Sequence, residues 1–385
     1  MTTIKTAPKT SGVGSLLSET QIIDRIFNHV DQGTTDLGDT VWREPVDNYF
    51  AKDRFDAELS LLRHHPIPYC PSAALTKIGS YQARKAAGTP LLVARGRDGK
   101  VRAFINACRH RGMQVASGNG CSKAFICPYH AWTYSLEGEL RAIRGKEAFP
   151  DMDPSRNGLV EVSALEYGGI IYVQQEGKIN PTALEGNLEY FSPEQQLFDQ
   201  SETSNNANWK LITETLLEGY HIKSLHKDTF YPFGLDNVNL VEIYGANSRI
   251  TFPFRRIEKL REVPSEQRKI DGMATIVNHI FPNASVSSLS KHASLTIMEP
   301  LTPSSTQMIT FLMTSKHADE SNISIEAAKK DAKFVSQSGQ DEDIAAACSI
   351  QETVTAKANS HLTFGYFEKA IINFHQAIKK GISSS

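Results

Sequence analysis

Long apolar runs are missing from this 385-residue chain; none approaches the ~20 residues that a bilayer-spanning helix requires. No sign of charge predominates, with 41 Lys and Arg against 43 Asp and Glu and a formal net charge of -2. That balance argues against nucleic acid as the main partner, and it supplies no basic tail for an anionic membrane surface. The opening residues, MTTIKTAPKTSGVGS, lack the apolar core of a secretory leader, so a cytoplasmic setting is expected. Cysteine is scarce. The five residues Cys70, Cys108, Cys121, Cys127 and Cys348 are odd in number and widely scattered, a poor disulfide framework. In a reducing compartment, closely spaced Cys and His read instead as metal ligands.

What is there divides into parts, as the length leads one to expect. Residues 1–14, rich in Thr, Lys, Ser and Gly, are expected to be disordered. Ser18 then precedes apolar positions Ile22, Ile23, Ile26 and Phe27, the pattern of a capped amphipathic helix. From about 45 to 177, short alternating segments such as Leu91-Leu-Val-Ala-Arg and Gly169-Ile-Ile-Tyr-Val are broken by turn residues, which predicts a small all-β unit. Beyond Lys178 helices and strands mix. Segments 239–244, 248–252, 285–289, 294–298 and 307–313 read as antiparallel strands, 324–336 and 365–381 as helices, and Pro193–Asp199 as loop. Cys70 and Cys121 read as ordinary small apolar residues.

Two stretches carry chemistry. In the first, Cys108-Arg-His110 and Cys127-Pro-Tyr-His130 offer two thiolates and two imidazoles from turn-rich loops. Zinc takes four such ligands tetrahedrally, but zinc fingers usually keep their cysteines in one half and their histidines in the other. Here each loop gives one of each, which suits a Rieske [2Fe–2S] centre, where two Cys hold one iron and two His the other. In the second stretch, Glu218, His221 and His226 follow a largely apolar run that begins at Asn208. Glu218 and His221 lie one helical turn apart, whereas His226 is roughly 140° round from His221 on an ideal helix. Both imidazoles reach one metal only if the helix ends or bulges between them, and Gly219 is the weak spot.

CRHRG and CPYHAWTYSLEGEL resemble the Rieske signature of the ring-hydroxylating oxygenase family, and NWK…E…EGYH…H is similar to that family's mononuclear iron segment. The resemblance covers residues 40–380 and implies an α+β fold in three parts: an N-terminal arm and helix over 1–44 packing on the catalytic domain, an all-β Rieske [2Fe–2S] domain over 45–177, and a catalytic domain over 178–385. The last would hold an antiparallel sheet and helices in a helix-grip, START-like arrangement. It further implies a terminal oxygenase that uses O2 and electrons from NAD(P)H, delivered by a ferredoxin or flavin reductase, on a small organic substrate, and a homotrimer in which one subunit's cluster serves its neighbour's iron. Cys108, His110, Cys127 and His130 would hold the [2Fe–2S] cluster, and His221 and His226 would hold Fe(II). The family places Glu-Asp ahead of a helix carrying Gln. Glu342-Asp343…Gln351 matches, which makes Asp343 the third ligand, with Asp341 and Glu342 as the nearby alternatives. Glu218 would be the catalytic carboxylate bridging an iron histidine and a cluster histidine. Many ring dioxygenases have Asp there; Glu is more like the branch acting on quaternary ammonium compounds such as carnitine. Glu214-Thr215 stands where many members have Glu-Asn. Phe252, Phe254, Phe281 and Tyr244 are available for an aromatic cage, and His279 and His292 read as pocket or core residues. The competing readings are an electron-transfer Rieske protein without oxygenase activity and a zinc-stabilised binding module.

Overall fold

The computed structural model describes residues 16–184, 187–315, 324–336 and 341–384; the tail expected to be disordered over 1–14 lies outside them. Helix α1 (Glu19–Gln32) starts at a reciprocal capping box: Ser18 Oγ accepts from Gln21 N, and the Gln21 side chain accepts from Ser18 N. Its stripe of Ile22, Ile23, Ile26 and Phe27 packs on Leu240, Ile257, Leu260 and Ile270 of the C-terminal half. Strand β1 (Trp42–Pro45) pairs antiparallel with His361–Phe364, near the other end of the chain. Helix α2 (Lys52–His64) packs against the last helix of the chain. Residues 42–64 thus sit with the C-terminal half, and the first strand of the β unit begins at Ile67 rather than near 45. In α2 the buried positions Phe55, Glu58, Leu61 and Leu62 keep helical spacing, but one of them is charged, which blurs the pattern in sequence.

The first sheet comprises β2 (Ile67–Pro71), β3 (Ser80–Ala86), β4 (Thr89–Arg95), β5 (Val101–Ile105) and β6 (Gly118–Cys121). A three-stranded flap of β7 (Phe125–Ile126), β8 (Thr133–Tyr134) and β9 (Leu140–Ala142) follows, after which β10 (Glu161–Tyr167) and β11 (Ile170–Gln174) return to give the order β2-β11-β10-β5-β4-β3-β6. Cys70 is buried as expected, whereas Cys121 is exposed on the edge strand β6.

The second half opens with β12 (Leu197–Asn205), then α3 (Trp209–Thr215), α4 (Ile222–Leu225), β13 (Leu240–Tyr244), β14 (Asn247–Pro253), β15 (Ala274–Ile280), β16 (Ala284–Ser288), β17 (His292–Thr302) and β18 (Ser305–Thr314). Helices α5 (Ile325–Val335) and α6 (Asp341–Val354), strand β19 (His361–Phe364) and helix α7 (Lys369–Ser384) complete it. The seven strands form one antiparallel sheet, β12-β18-β17-β16-β15-β14-β13, and α7 buries Ala370, Ile371, Phe374 and Ile378 beneath it. Alternation along the strands sends Val286, Leu295, Ile297, Ile309, Phe311 and Met313 to one face. There they share a continuous apolar core with Ile67, Tyr69, Leu91, Val93 and Val173 of the first sheet. Gln82 Nε2 donates to Gln200 Oε1 at 3.0 Å and Gly88 N to Glu299 Oε1 at 3.0 Å across that junction.

Candidate metal centres and cavity

The two Cys–His loops close in the same way. Cys108 N donates to Met113 O and Gly112 N to Cys108 O; Cys127 N donates to Trp132 O and Ala131 N to Cys127 O. In each, the residue four after the cysteine is left-handed, Gly112 at φ 79° and Ala131 at φ 60°. Both thiols are buried, and the Tyr134 hydroxyl lies 3.2 Å from Cys108 Sγ while accepting from Arg109 N at 2.8 Å. Such a hydroxyl stabilises a thiolate and tunes a cluster's potential. At the partly exposed end, His110 Nδ1 and His130 Nδ1 stand 3.1 Å apart, with His110 stacked on Trp132 and His130 on Tyr129. No three of the four residues bring ligand atoms within 4.8 Å of one another, so they do not converge on a single tetrahedral zinc. A pair of imidazoles at one end and a pair of thiols at the other suits a two-iron group.

Asn208 caps α3, its side chain accepting from Lys210 N at 3.0 Å, while its own N–H donates to Gln351 Oε1 of α6 at 2.8 Å. That bond sets α3 against α6. The helix stops after Thr215, and a Cβ at Gly219 would come within 2.3 Å of the Asn239 side chain, which would have to move to admit it. The single turn of α4 then separates the two histidines and ends at His226 (φ -94°, ψ 34°), leaving His221 Nε2 and His226 Nε2 3.2 Å apart. Asp343, in the first turn of α6, places Oδ1 3.0 Å from His226 Nε2 and 3.4 Å from His221 Nε2. Ligands ~2.1 Å from one ion and roughly 90–110° apart lie ~3.0–3.4 Å from each other, so this triangle fits one face of a metal. Among the described residues these three form the group able to hold a single ion. Glu342 stands behind His226, its Oε2 2.7 Å from Nδ1 and accepting from Thr229 Oγ1 at 2.7 Å. Glu218 does the same for His221 Nδ1 and also accepts from His221 N at 3.2 Å. Both carboxylates hold the proton on Nδ1 and turn Nε2 inward. Of the alternatives weighed from sequence, Glu342 is therefore an orienting group, and Asp341 is exposed.

The profile of the ring-hydroxylating alpha subunit catalytic domain matches residues 190–384, half of the chain, and that of the Rieske [2Fe-2S] domain matches 65–161. The chain belongs to the ring-hydroxylating alpha subunit family. A Rieske [2Fe–2S] domain and a catalytic domain of the kind that binds mononuclear iron are both present in this alpha subunit. It is 30% identical over 200 residues to the carnitine monooxygenase oxygenase subunit of Acinetobacter baumannii, covering 49% of this chain and 53% of that one. It is 29% identical over 178 residues to the chloroplastic choline monooxygenase of Spinacia oleracea, covering 41% and 40%. The matched stretch thus spans about half the length of these curated relatives. In fold it is similar to a quaternary ammonium Rieske monooxygenase structure described in terms of carnitine oxidation and inter-subunit electron transfer, with a TM-score of 0.74, 19% identity and 96% and 100% of the two chains covered. Naphthalene 1,2-dioxygenase from Rhodococcus sp. gives 0.74, 18%, 95% and 98%.

In the alpha subunit the three inward-facing ligand atoms meet a cavity of about 920 Å³, which Glu218 also lines. Burial opposes a charge on His221, but hydrogen bonds to Asp343 and Glu218 outweigh it and raise its pKa to about 10. His226 is raised for the same reason, against burial, by Asp343 and Glu342. Burial alone would lift Asp343, yet the two imidazoles hold it below the usual carboxylate range. A metal must displace these protons to bind. Phe252 and Phe254 line the cavity. The other two aromatics proposed for a cage do not: the Tyr244 hydroxyl lies 3.2 Å from that of Tyr190, and Phe281 packs in the core edge-on to His65. Phe230, Phe233 and Phe334 line the cavity instead. His292 is on the wall, 2.8 Å from Asp331, and His279 is buried beside Phe374. Glu214 is a strut: it accepts from the Tyr49 hydroxyl at 2.8 Å and lies 2.9 Å from His375 Nε2 of α7.

Proposed function

We propose that this alpha subunit is the terminal oxygenase of a multicomponent Rieske system, acting on a small organic substrate with O2 by hydroxylation, dihydroxylation or oxidative demethylation. The observation that carries the reading is the His221–His226–Asp343 triangle set into the wall of a large cavity. An electron carrier has no use for such a trio. Cys108, His110, Cys127 and His130 would hold the cluster, and His221, His226 and Asp343 the Fe(II). Bound there, the two groups supply single electrons and the activation of O2. The chain's own part is orientation and exclusion. Glu218 and Glu342 fix the Nδ1–H form of the two histidines, and the phenylalanine wall keeps water from the substrate.

Electrons would come from NAD(P)H through a ferredoxin or flavin reductase, arriving where His110 and His130 reach the surface. In a homotrimer, Glu218 would link His221 to a cluster histidine of the neighbouring subunit. On that reading Glu218→Gln keeps both metals when Fe(II) is supplied in excess but suppresses turnover; wild-type turnover in the variant removes the bridging role. The assignment as a whole is tested by metal content and O2 uptake. About three irons and two inorganic sulfides per chain, with substrate-dependent O2 uptake in the presence of a surrogate reductase, are expected. Two irons and no uptake would leave an electron carrier.

A further inference from the structure

The face of the second sheet opposite the core shared with the first is mixed, with Val277, Met308 and Leu312 lining the cavity beside a run of hydroxyl side chains. Ser285 on β16 is in register with Thr296 on β17, Thr296 with Thr310 on β18, and Thr310 with Ser201 on β12. All four line the cavity. Three inter-strand steps of ~4.8 Å make this one hydroxyl row ~14 Å long. It runs from the interior, where Ser285 is 2% and Thr296 7% exposed, to the exposed Ser201. Ser285 Oγ is buried with no hydrogen-bond partner. A wall built only to hold hydrocarbon would leave such hydroxyls unpaired at every turnover, an arrangement that buried polar groups avoid. The volume, about 920 Å³, lies at the upper end of the ~300–1,000 Å³ typical of sites for drug-sized ligands, far more than a compact alkylammonium ion needs. Phe230, Phe233 and Phe254 supply apolar surface elsewhere on the wall.

We infer that the cavity selects an elongated ring-system substrate carrying a hydroxyl and a carbonyl oxygen on the edge that faces the Ser285–Thr296–Thr310–Ser201 row. This rests on the oxygenase reading above, but the test is of binding and stands apart from turnover. The iron-loaded full chain is titrated without O2 against three probes: anthraflavic acid, a dihydroxyanthraquinone whose hydroxyls cannot chelate iron; anthracene; and L-carnitine. Anthraflavic acid should bind on the order of tenfold or more tighter than anthracene, since a site made to pair with oxygens discriminates against the analogue lacking them. The Ser285→Ala/Thr296→Val double variant should bring the two within about threefold while leaving anthracene binding unchanged or tighter. Thr310→Val, at a half-buried position, provides a second variant, and an unaltered melting temperature and iron content show that each is folded. Equal or tighter binding of anthracene, tighter binding of L-carnitine, no binding of any probe, or full discrimination in the folded variants overturns the inference. O2 uptake with L-carnitine alone would do so while sparing the oxygenase reading; selective binding of anthraflavic acid by a protein that never consumes O2 would do the reverse.

Discussion

Replacing Glu342 by Gln separates orientation from ligation at the proposed iron site. Its Oε2 lies 2.7 Å from His226 Nδ1 and 2.7 Å from the Thr229 hydroxyl, while Asp343 Oδ1 faces both imidazole Nε2 atoms. Carboxylates behind a ligating histidine are typically worth 10–100-fold in metal affinity, or ~1.4–2.7 kcal/mol at about 1.4 kcal/mol per tenfold. The Glu342 side chain is 35% exposed, and Gln keeps an acceptor oxygen while losing the charge. Both facts place the effect near the lower end, roughly tenfold. The assay is anaerobic competition for Fe(II) against a chromogenic chelator, with inorganic sulfide as the internal control, because the cluster loops lie on a different sheet. Asp343→Asn should weaken iron far more, by over ~100-fold. If Glu342→Gln released iron as completely as Asp343→Asn, Glu342 would be a ligand and the assignment of Asp343 would need revising. An unchanged affinity would mean that the carboxylate orients nothing.

Lys210 and Glu58 form an ion pair buried in the protein, 2.8 Å apart with side chains 0% and 1% exposed. Lys210→Met strands the carboxylate and should destabilise the fold by about 3 kcal/mol, the remaining Arg54 contact keeping the loss at the low end. Adding Glu58→Gln should recover more than half of that in chemical denaturation; a single variant within about 1 kcal/mol of wild type contradicts the argument. Burial lowers the His279 pKa from 6.5 to about 4, so between those values the folded chain binds fewer protons than the unfolded one. Stability therefore rises with pH across that window, is fully present above about 6.5, and falls by up to ~3 kcal/mol toward pH 4. His279→Phe should flatten this part of the profile in urea titrations, and an unaltered slope would show that His279 is not its source.

The ligand clusters were legible because their spacing is dictated by chemistry. Cys108-x-His110 and Cys127-x-x-His130 fit no disulfide pattern, and the helix end needed between His221 and His226 comes where α4 stops at Leu225, not at Gly219, which precedes both. Strand β12 was hidden: its Leu197–Asn205 sequence presents polar side chains to solvent and cavity, which reads as loop. Helix α2 was obscured by Glu58, a charge in a core position that makes sense only beside Lys210, 152 residues away. The role of Glu342 depends on which way the first turn of α6 faces, and adjacent acids in sequence carry no such direction. Residue type alone groups Phe281 and Tyr244 with the cavity, yet their contacts place them outside it.

The second sheet is a party wall with two tenants. On β17 and β18 the odd-numbered positions, such as Leu295 and Phe311, hold the seat of the Rieske domain, while the even-numbered Ser294, Thr296 and Thr310 face the cavity. Mutational drift at one parity can redecorate the chamber without unsettling the masonry behind it.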